Sequence, residues 1–258
     1  MIHLFKILRI KDWFYPCIGL ILFAYVDASH ASLIEVIKAV IICSIYLSYL
    51  AIHNNATDIE EDNLEKNYFK KNKIKKRTIL ILTYSTGLMF LGLGIYHDFY
   101  RPSLLAIILN TLYSNRPIRL KRFLIPSLII NIYLFLYIYL VSIFLFEKRI
   151  MWENLKNWPY IIMAYFVLQY IHFLEHKEVE GLKINKANHY SIPLLISPIY
   201  IYLLLNPIYG IFDYMIIALY QIGIYYGLEK SKDYTQARKY GRNITSVMGV
   251  VIVTKSFI

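Results

Sequence analysis

Residues 54–62 read NNATDIEED, and they follow, one residue on, an apolar run that ends at Ile52. In a helix, Asn54, Asp58 and Asp62 fall at i, i+4 and i+8, so three oxygen-bearing side chains share one stripe. Hard oxygen ligands aligned in this way suit a divalent cation. Ile45, Leu50 and Ile52 upstream turn the stripe inward, whereas Glu60, Glu61 and Glu65 read as solvated charges balancing the lysines that follow. Acids seated where an apolar helix meets water point to chemistry on a substrate both phosphorylated and greasy.

The rest of the chain supplies the setting. Of 258 residues, 58% are hydrophobic, 16% aromatic and only 17% charged, with a mean hydropathy of +0.46. That leaves too little polar surface for a soluble domain and predicts an integral membrane protein. A soluble nucleic-acid binder is excluded despite the net charge of +11, which belongs to membrane topology. Apolar runs cover 13–26, 33–52, 78–96, 103–113, 123–146, 159–174, 192–205, 210–228 and 244–258. They predict nine transmembrane helices, the shorter ones ending in the headgroup zone where many of the 25 Tyr residues are comfortable. The first run reads as a span and not as a cleaved leader. Cys17 and Cys43 lie inside apolar runs and read as small hydrophobes.

Lys and Arg are retained on the cytoplasmic side. Alternate connections carry 22 of the 28, including seven between 66 and 77, and the opposite face and its helix ends carry six. The amino terminus and acidic motif are therefore expected in the cytoplasm and the carboxyl terminus outside.

Numbering the spans exposes a coarse repeat. The first acidic cluster follows span two, and a second, EHKEVEG at 175–181, follows span six. The basic tract YSNRPIRLKRF at 113–123 follows span four, and EKSKDYTQARKYGR at 229–242 follows span eight. This spacing predicts two four-helix units in parallel orientation, roughly 13–122 and 123–242, with a last helix at 243–258, around a central cavity. Glu175 and Glu178 share a helical face with His172 a turn earlier. His172 and Gln169, polar within an apolar helix, are expected to face the interior of the bundle.

These features resemble the UbiA superfamily of intramembrane prenyltransferases. Asn54, Asp58 and Asp62 stand in register with its Asn-Asp-x-x-Asp-x-x-x-Asp motif, with Asn55 in place of the first aspartate. Glu175 and Glu178 occupy the first two aspartate positions of its second motif, Glu180-Gly181 is kept, and Leu182 stands where the last aspartate belongs. LYSNRPIRLK resembles the family's Tyr-Ser-x-x-Pro-x-Arg-Leu-Lys loop, and IKDWFYP at 10–16 its opening helix. The segment NYFKKNKIKKR at 67–77 departs from the Asn-Arg-Pro-x-x-x-Gly pattern of relatives.

The resemblance implies transfer of a polyprenyl group from a prenyl diphosphate to a lipophilic or aromatic acceptor, such as a quinone precursor or glycerol-ether lipid. Mg²⁺ would be held by Asn54, Asp58, Asp62, Glu175 and Glu178. Arg119, Lys121, Arg9 and Lys71 are candidate diphosphate clamps, with Ser114 and His172 as further substrate contacts. Tyr113 is a candidate to face an allylic cation with its ring. Alternatives within the fold are a terpene cyclase or a polyprenyl-phosphate phosphoribosyltransferase. A transporter or noncatalytic membrane protein also suits intramembrane polar residues, but has no need of paired acidic motifs at one boundary.

Overall fold

The structure is a computed structural model that describes residues 10–28, 31–60, 67–151, 155–179 and 186–255, with backbone alone at 11–12, 176–179, 186–190 and 193–195. The described residues are helical, without strands. The helices are α1 (Ile10–Asp27), α2 (Leu33–Thr57), the single turn α3 (Tyr68–Lys71), α4 (Lys76–Tyr96), α5 (Tyr100–Ser114), α6 (Leu124–Glu147), α7 (Trp158–Val179), α8 (Lys186–Leu205), α9 (Ile211–Lys230) and α10 (Tyr234–Lys255). A 3₁₀ turn at Leu120–Arg122 precedes α6. Four of these helices, α2, α4, α6 and α9, are long and apolar enough to cross a membrane. On α4 the exposed side carries Ile81, Tyr84, Leu88 and Met89. Such a surface belongs against lipid, and the chain is a multi-pass integral membrane protein.

The chain forms two compact units, Met1–Met151 and Trp152–Ile258. In the first, α2 packs against α1, α4 and α6. Its core holds Tyr46, Phe90 and Tyr137, with ring centroids 4.6 Å apart for Tyr46–Tyr137 and 4.9 Å for Tyr46–Phe90. The buried hydroxyls are satisfied: Tyr46 donates to the Leu134 carbonyl at 2.8 Å, and the Tyr137 and Ser103 hydroxyls lie 2.7 Å apart. At Gly94 a Cβ would meet Ser103 Oγ at 2.6 Å, so only glycine lets α4 and α5 approach so closely. Cys17 and Cys43 are buried and unbridged.

In the second unit α10 packs on α7 and α9. Its start corrects the expected final span: the helix begins at Tyr234, not near 243. The reason is local. Asp233 caps it, its Oδ1 accepting from the Gln236 N–H at 2.7 Å, and Gln236, Ala237, Arg238 and Lys239 favour helix. Much of the basic tract is therefore helical. At the far end of α10, Lys255 and the Tyr160 hydroxyl both donate to the buried carboxylate of Asp213.

Candidate active site

In the first unit the acidic motif is built by the end of α2. The helix stops at Thr57, and Asp58 is its C-cap, with its N–H donating to the Asn54 carbonyl at 3.0 Å. The stripe expected to run through Asp62 therefore holds from Asn54 to Asp58 and not beyond as helix. The cause is electrostatic: Asp58, Glu60, Glu61 and Asp62 would crowd the negative end of the helix macrodipole. Asp62 itself lies outside the described residues, as does Arg9.

The tract after α5 delivers the cations. The Arg119 N–H donates to the Asn115 carbonyl at 2.8 Å, and Arg119 takes left-handed φ of 46°. The 3₁₀ turn then follows, and both basic side chains reach back to α2. Arg119 Nη2 donates to Asp58 Oδ1 at 2.9 Å, and Lys121 Nζ donates to the same oxygen. The Arg119 side chain is 2% exposed and that of Asp58 20%. A guanidinium is accommodated in such a place only with a charged partner. One turn inward, Ser114 Oγ donates to Asn54 Oδ1. Asn54, Asp58, Ser114, Arg119 and Lys121 are thus one cluster.

Other candidates are placed differently. Tyr113 accepts from Asn131 Nδ2 at 3.0 Å, which fixes its hydroxyl and leaves the ring half-buried. Asn131 was missed in the sequence, although a polar residue in the apolar run LIINIY was the available signal. Lys71 is exposed at the end of α3 and makes no ion pair among the described residues. Glu60 is the solvated charge expected, its side chain 77% exposed and 3.5 Å from Arg116.

In the second unit, Glu175 lies just past the apolar run that ends at Leu174. Its carboxylate accepts from Arg238 Nη1 at 3.0 Å and Thr235 Oγ1 at 2.9 Å, and meets His172 Nδ1 at 3.0 Å. The His172 contact first, then the Arg238 charge, outweigh partial burial and hold the carboxyl down at about 2. The side chain of Glu178 lies outside the described residues. Arg238 and Thr235 were missed as partners because their segment reads as a connection. Each unit thus contains an acid clasped by a base: Asp58, the cap of α2, by Arg119 and Lys121 from the tract after α5, and Glu175, in the last part of α7, by Arg238 of α10.

Asn54 Oδ1 and the Asp58 carboxylate are hard oxygen donors one turn apart, a donor chemistry that fits Mg²⁺. Among the described residues no three His, Cys, Asp or Glu side chains group around one point.

No protein-family profile matches the chain, and a search of curated proteins returns no match. Solved structures do share its fold. One, from work on the biosynthesis of digeranylgeranylglyceryl phosphate synthase in membranes, has a TM-score of 0.67 at 18% identity, covering 98% of each chain. A UbiA homolog from Archaeoglobus fulgidus bound to GPP and Mg²⁺ has a TM-score of 0.67 at 14% identity, covering 98% of this chain and 99% of that one. The same homolog bound to DMAPP and Mg²⁺ gives 0.65 at 15% identity, covering 97% and 99%. Fold and composition define a membrane-embedded helical protein. Its fold is shared with these solved UbiA homolog structures.

Proposed function

We propose that this chain is a Mg²⁺-dependent intramembrane prenyltransferase that moves a polyprenyl group from its diphosphate to a lipophilic or aromatic acceptor. The observation that carries the reading is Asp58 clasped by Arg119 and Lys121 beside Asn54 and Ser114, on a fold otherwise found in UbiA homologs. A half-buried site holding both a carboxylate and paired cations suits a ligand that brings phosphate oxygens and a metal ion together.

In the reaction, the allylic C–O bond breaks and its electron pair leaves with the diphosphate. The acceptor then bonds to the allylic carbon and gives up a proton. Arg119 offers phosphate oxygens a planar fork and Lys121 a point charge, so both hold the leaving group as its charge develops. Tyr113, its hydroxyl fixed by Asn131, presents a ring face to the allylic cation. Asn54, Asp58 and Asp62, with Glu175 and Glu178 as a second ligand set, would hold Mg²⁺, which when bound neutralises diphosphate charge. The apolar runs and the uneven distribution of Lys and Arg further support nine crossings, with the amino terminus cytoplasmic and the carboxyl terminus outside.

The test is incubation of the purified chain with a panel of prenyl diphosphates and acceptors, with and without Mg²⁺. Mg²⁺-dependent release of pyrophosphate together with a prenylated product is expected. Absence of both across the panel, with diphosphate binding also absent, would refute the proposal and favour a noncatalytic membrane protein.

A further inference from the structure

The segment 67–77, NYFKKNKIKKR, offers the site no candidate but Lys71, which the proposed chemistry does not use, yet its conformation is closely specified. Asn67 is fully buried. Its amide donates to the Asn55 carbonyl at 2.8 Å while its oxygen accepts from the N–H groups of Phe69 and Lys70 at 3.1 and 3.2 Å. These bonds start the single turn α3. The turn ends with the Ile74 N–H on the Phe69 carbonyl at 3.0 Å and the Lys73 N–H on that of Lys70 at 3.2 Å, the paired bonds of a Schellman stop. Phe69 is fully buried with Ile52 and Ile79, and Ile74 packs on the same cluster. The segment is a hook pinned at Phe69 and Ile74.

What the hook displays is positive charge. Lys71, Lys73, Lys75, Lys76 and Arg77 are all exposed, and among the described residues none of the five has a carboxylate partner. Four of these positions cost stability. Lys73 sits at φ 50°, where glycine is the unstrained residue. Lys75 is the N-cap of α4 with no side-chain capping bond, and Lys76 and Arg77 open its first turn, where cations oppose the helix macrodipole. The charges therefore serve neither the turn nor the helix. They stand at the start of a helix long and apolar enough to cross a membrane, the level at which lipid headgroups lie.

We propose that this hook is a docking surface for the anionic phospholipid headgroups of the membrane the chain spans. The purified chain in neutral detergent would be titrated with phosphatidylglycerol or phosphatidylcholine and the bound lipids counted by native mass spectrometry. The wild type takes up phosphatidylglycerol in preference, and the preference falls with ionic strength. The variant Lys73→Gln/Lys75→Gln/Lys76→Gln/Arg77→Gln loses roughly tenfold or more in phosphatidylglycerol affinity. Arginine at the three lysine positions retains it. A control, Lys232→Gln/Lys239→Gln/Arg242→Gln, keeps the wild-type preference.

Equal uptake of the two lipids by the wild type, an undiminished preference in the four-Gln variant, or an equal loss in the control overturns the proposal. Displacement of the lipid by inorganic pyrophosphate at matched ionic strength also overturns it, in favour of a soluble-diphosphate site. None of these readouts depends on transferase activity.

Discussion

Replacing Arg119 separates the two things this residue does. Its guanidinium, 2% exposed, lies 2.9 Å from Asp58, and its backbone holds the left-handed turn that aims the tract at α2. A hydrogen bond to a charged group is worth about 1.5–3 kcal/mol. Lys121 shares the same oxygen and Asp58 is 20% exposed, so the lower end applies. A diphosphate that takes Asp58's place against the guanidinium should accordingly bind roughly tenfold more weakly without it. The turn works the other way, because the left-handed conformation costs an L-residue about 1–2 kcal/mol that glycine escapes. Arg119→Ala and Arg119→Gly should both lose that binding, measured by calorimetric titration of the purified protein with geranyl diphosphate and Mg²⁺. The glycine variant should be the more stable of the two by about 1 kcal/mol in thermal unfolding. Arg119→Lys should bind at an intermediate level, since it restores the charge without the planar fork. Binding by Arg119→Gly as tight as wild type would refute the clamp, because that variant keeps the loop and lacks only the side chain.

Asp58→Asn should abolish turnover, whereas Glu60→Gln should leave turnover and stability within about 0.5 kcal/mol of wild type, a contrast read by product assay and unfolding. Glu175 is held at about 2, below the ordinary carboxylate value of about 4.3. Its stabilising contribution is therefore present above about pH 5 and lost as pH falls toward 2, and Glu175→Gln should flatten the acid limb of a stability–pH profile. If the limb is unchanged, the His172, Thr235 and Arg238 contacts do not stabilise the fold. Single cysteines at 73 and 206, in a chain freed of Cys17 and Cys43, should be labelled from the inner and outer faces respectively; labelling from one face contradicts nine crossings with the amino terminus inside. Finally, Mg²⁺ and geranyl diphosphate should each raise the other's affinity by the same factor in paired titrations, and independent binding would count against a shared site.

Much of this was legible in the chain because hydropathy acts locally. The run at 123–146 is α6, Leu124–Glu147, and that at 210–228 is α9, Ile211–Lys230. Failures occur where a rule other than hydropathy decides. Spacing put Asp62 on the α2 stripe, but the dipole ends α2 at Thr57. Hydropathy started the last helix near 243, but the Asp233 cap starts it at Tyr234. Arg119 and Lys121 were readable from the loop motif as candidate site residues, whereas the left-handed turn that brings them to Asp58 was not, since arginine carries no signal for it. The α3 hook was read only as a basic connection. Four residues have no helix signal of their own, and tertiary burial of Phe69 holds this turn.

The twin ion pairs bear on why a metal and a diphosphate should arrive together. In the first unit Asp58 is already satisfied by Arg119 and Lys121. A lone diphosphate competing for those cations would leave Asp58 uncompensated beside new negative charge, and a lone metal ion competing for Asp58 would strand a buried guanidinium. Either exchange alone forfeits a partly buried pair. Were the two ligands to arrive together, Arg119 and Lys121 would turn from Asp58 to phosphate oxygens, Asp58 would be free to hold the metal, and no charge would be left without a counter-charge. The Asp58 carboxylate holds both cations in place, and such a pair would favour the joint complex over either half of it. Glu175 and Arg238 have the same arrangement in the second unit. The substitution of glutamate for aspartate at that position therefore preserves the exchangeable pair, and an acid at the position of Leu182 is not needed for the pair to form.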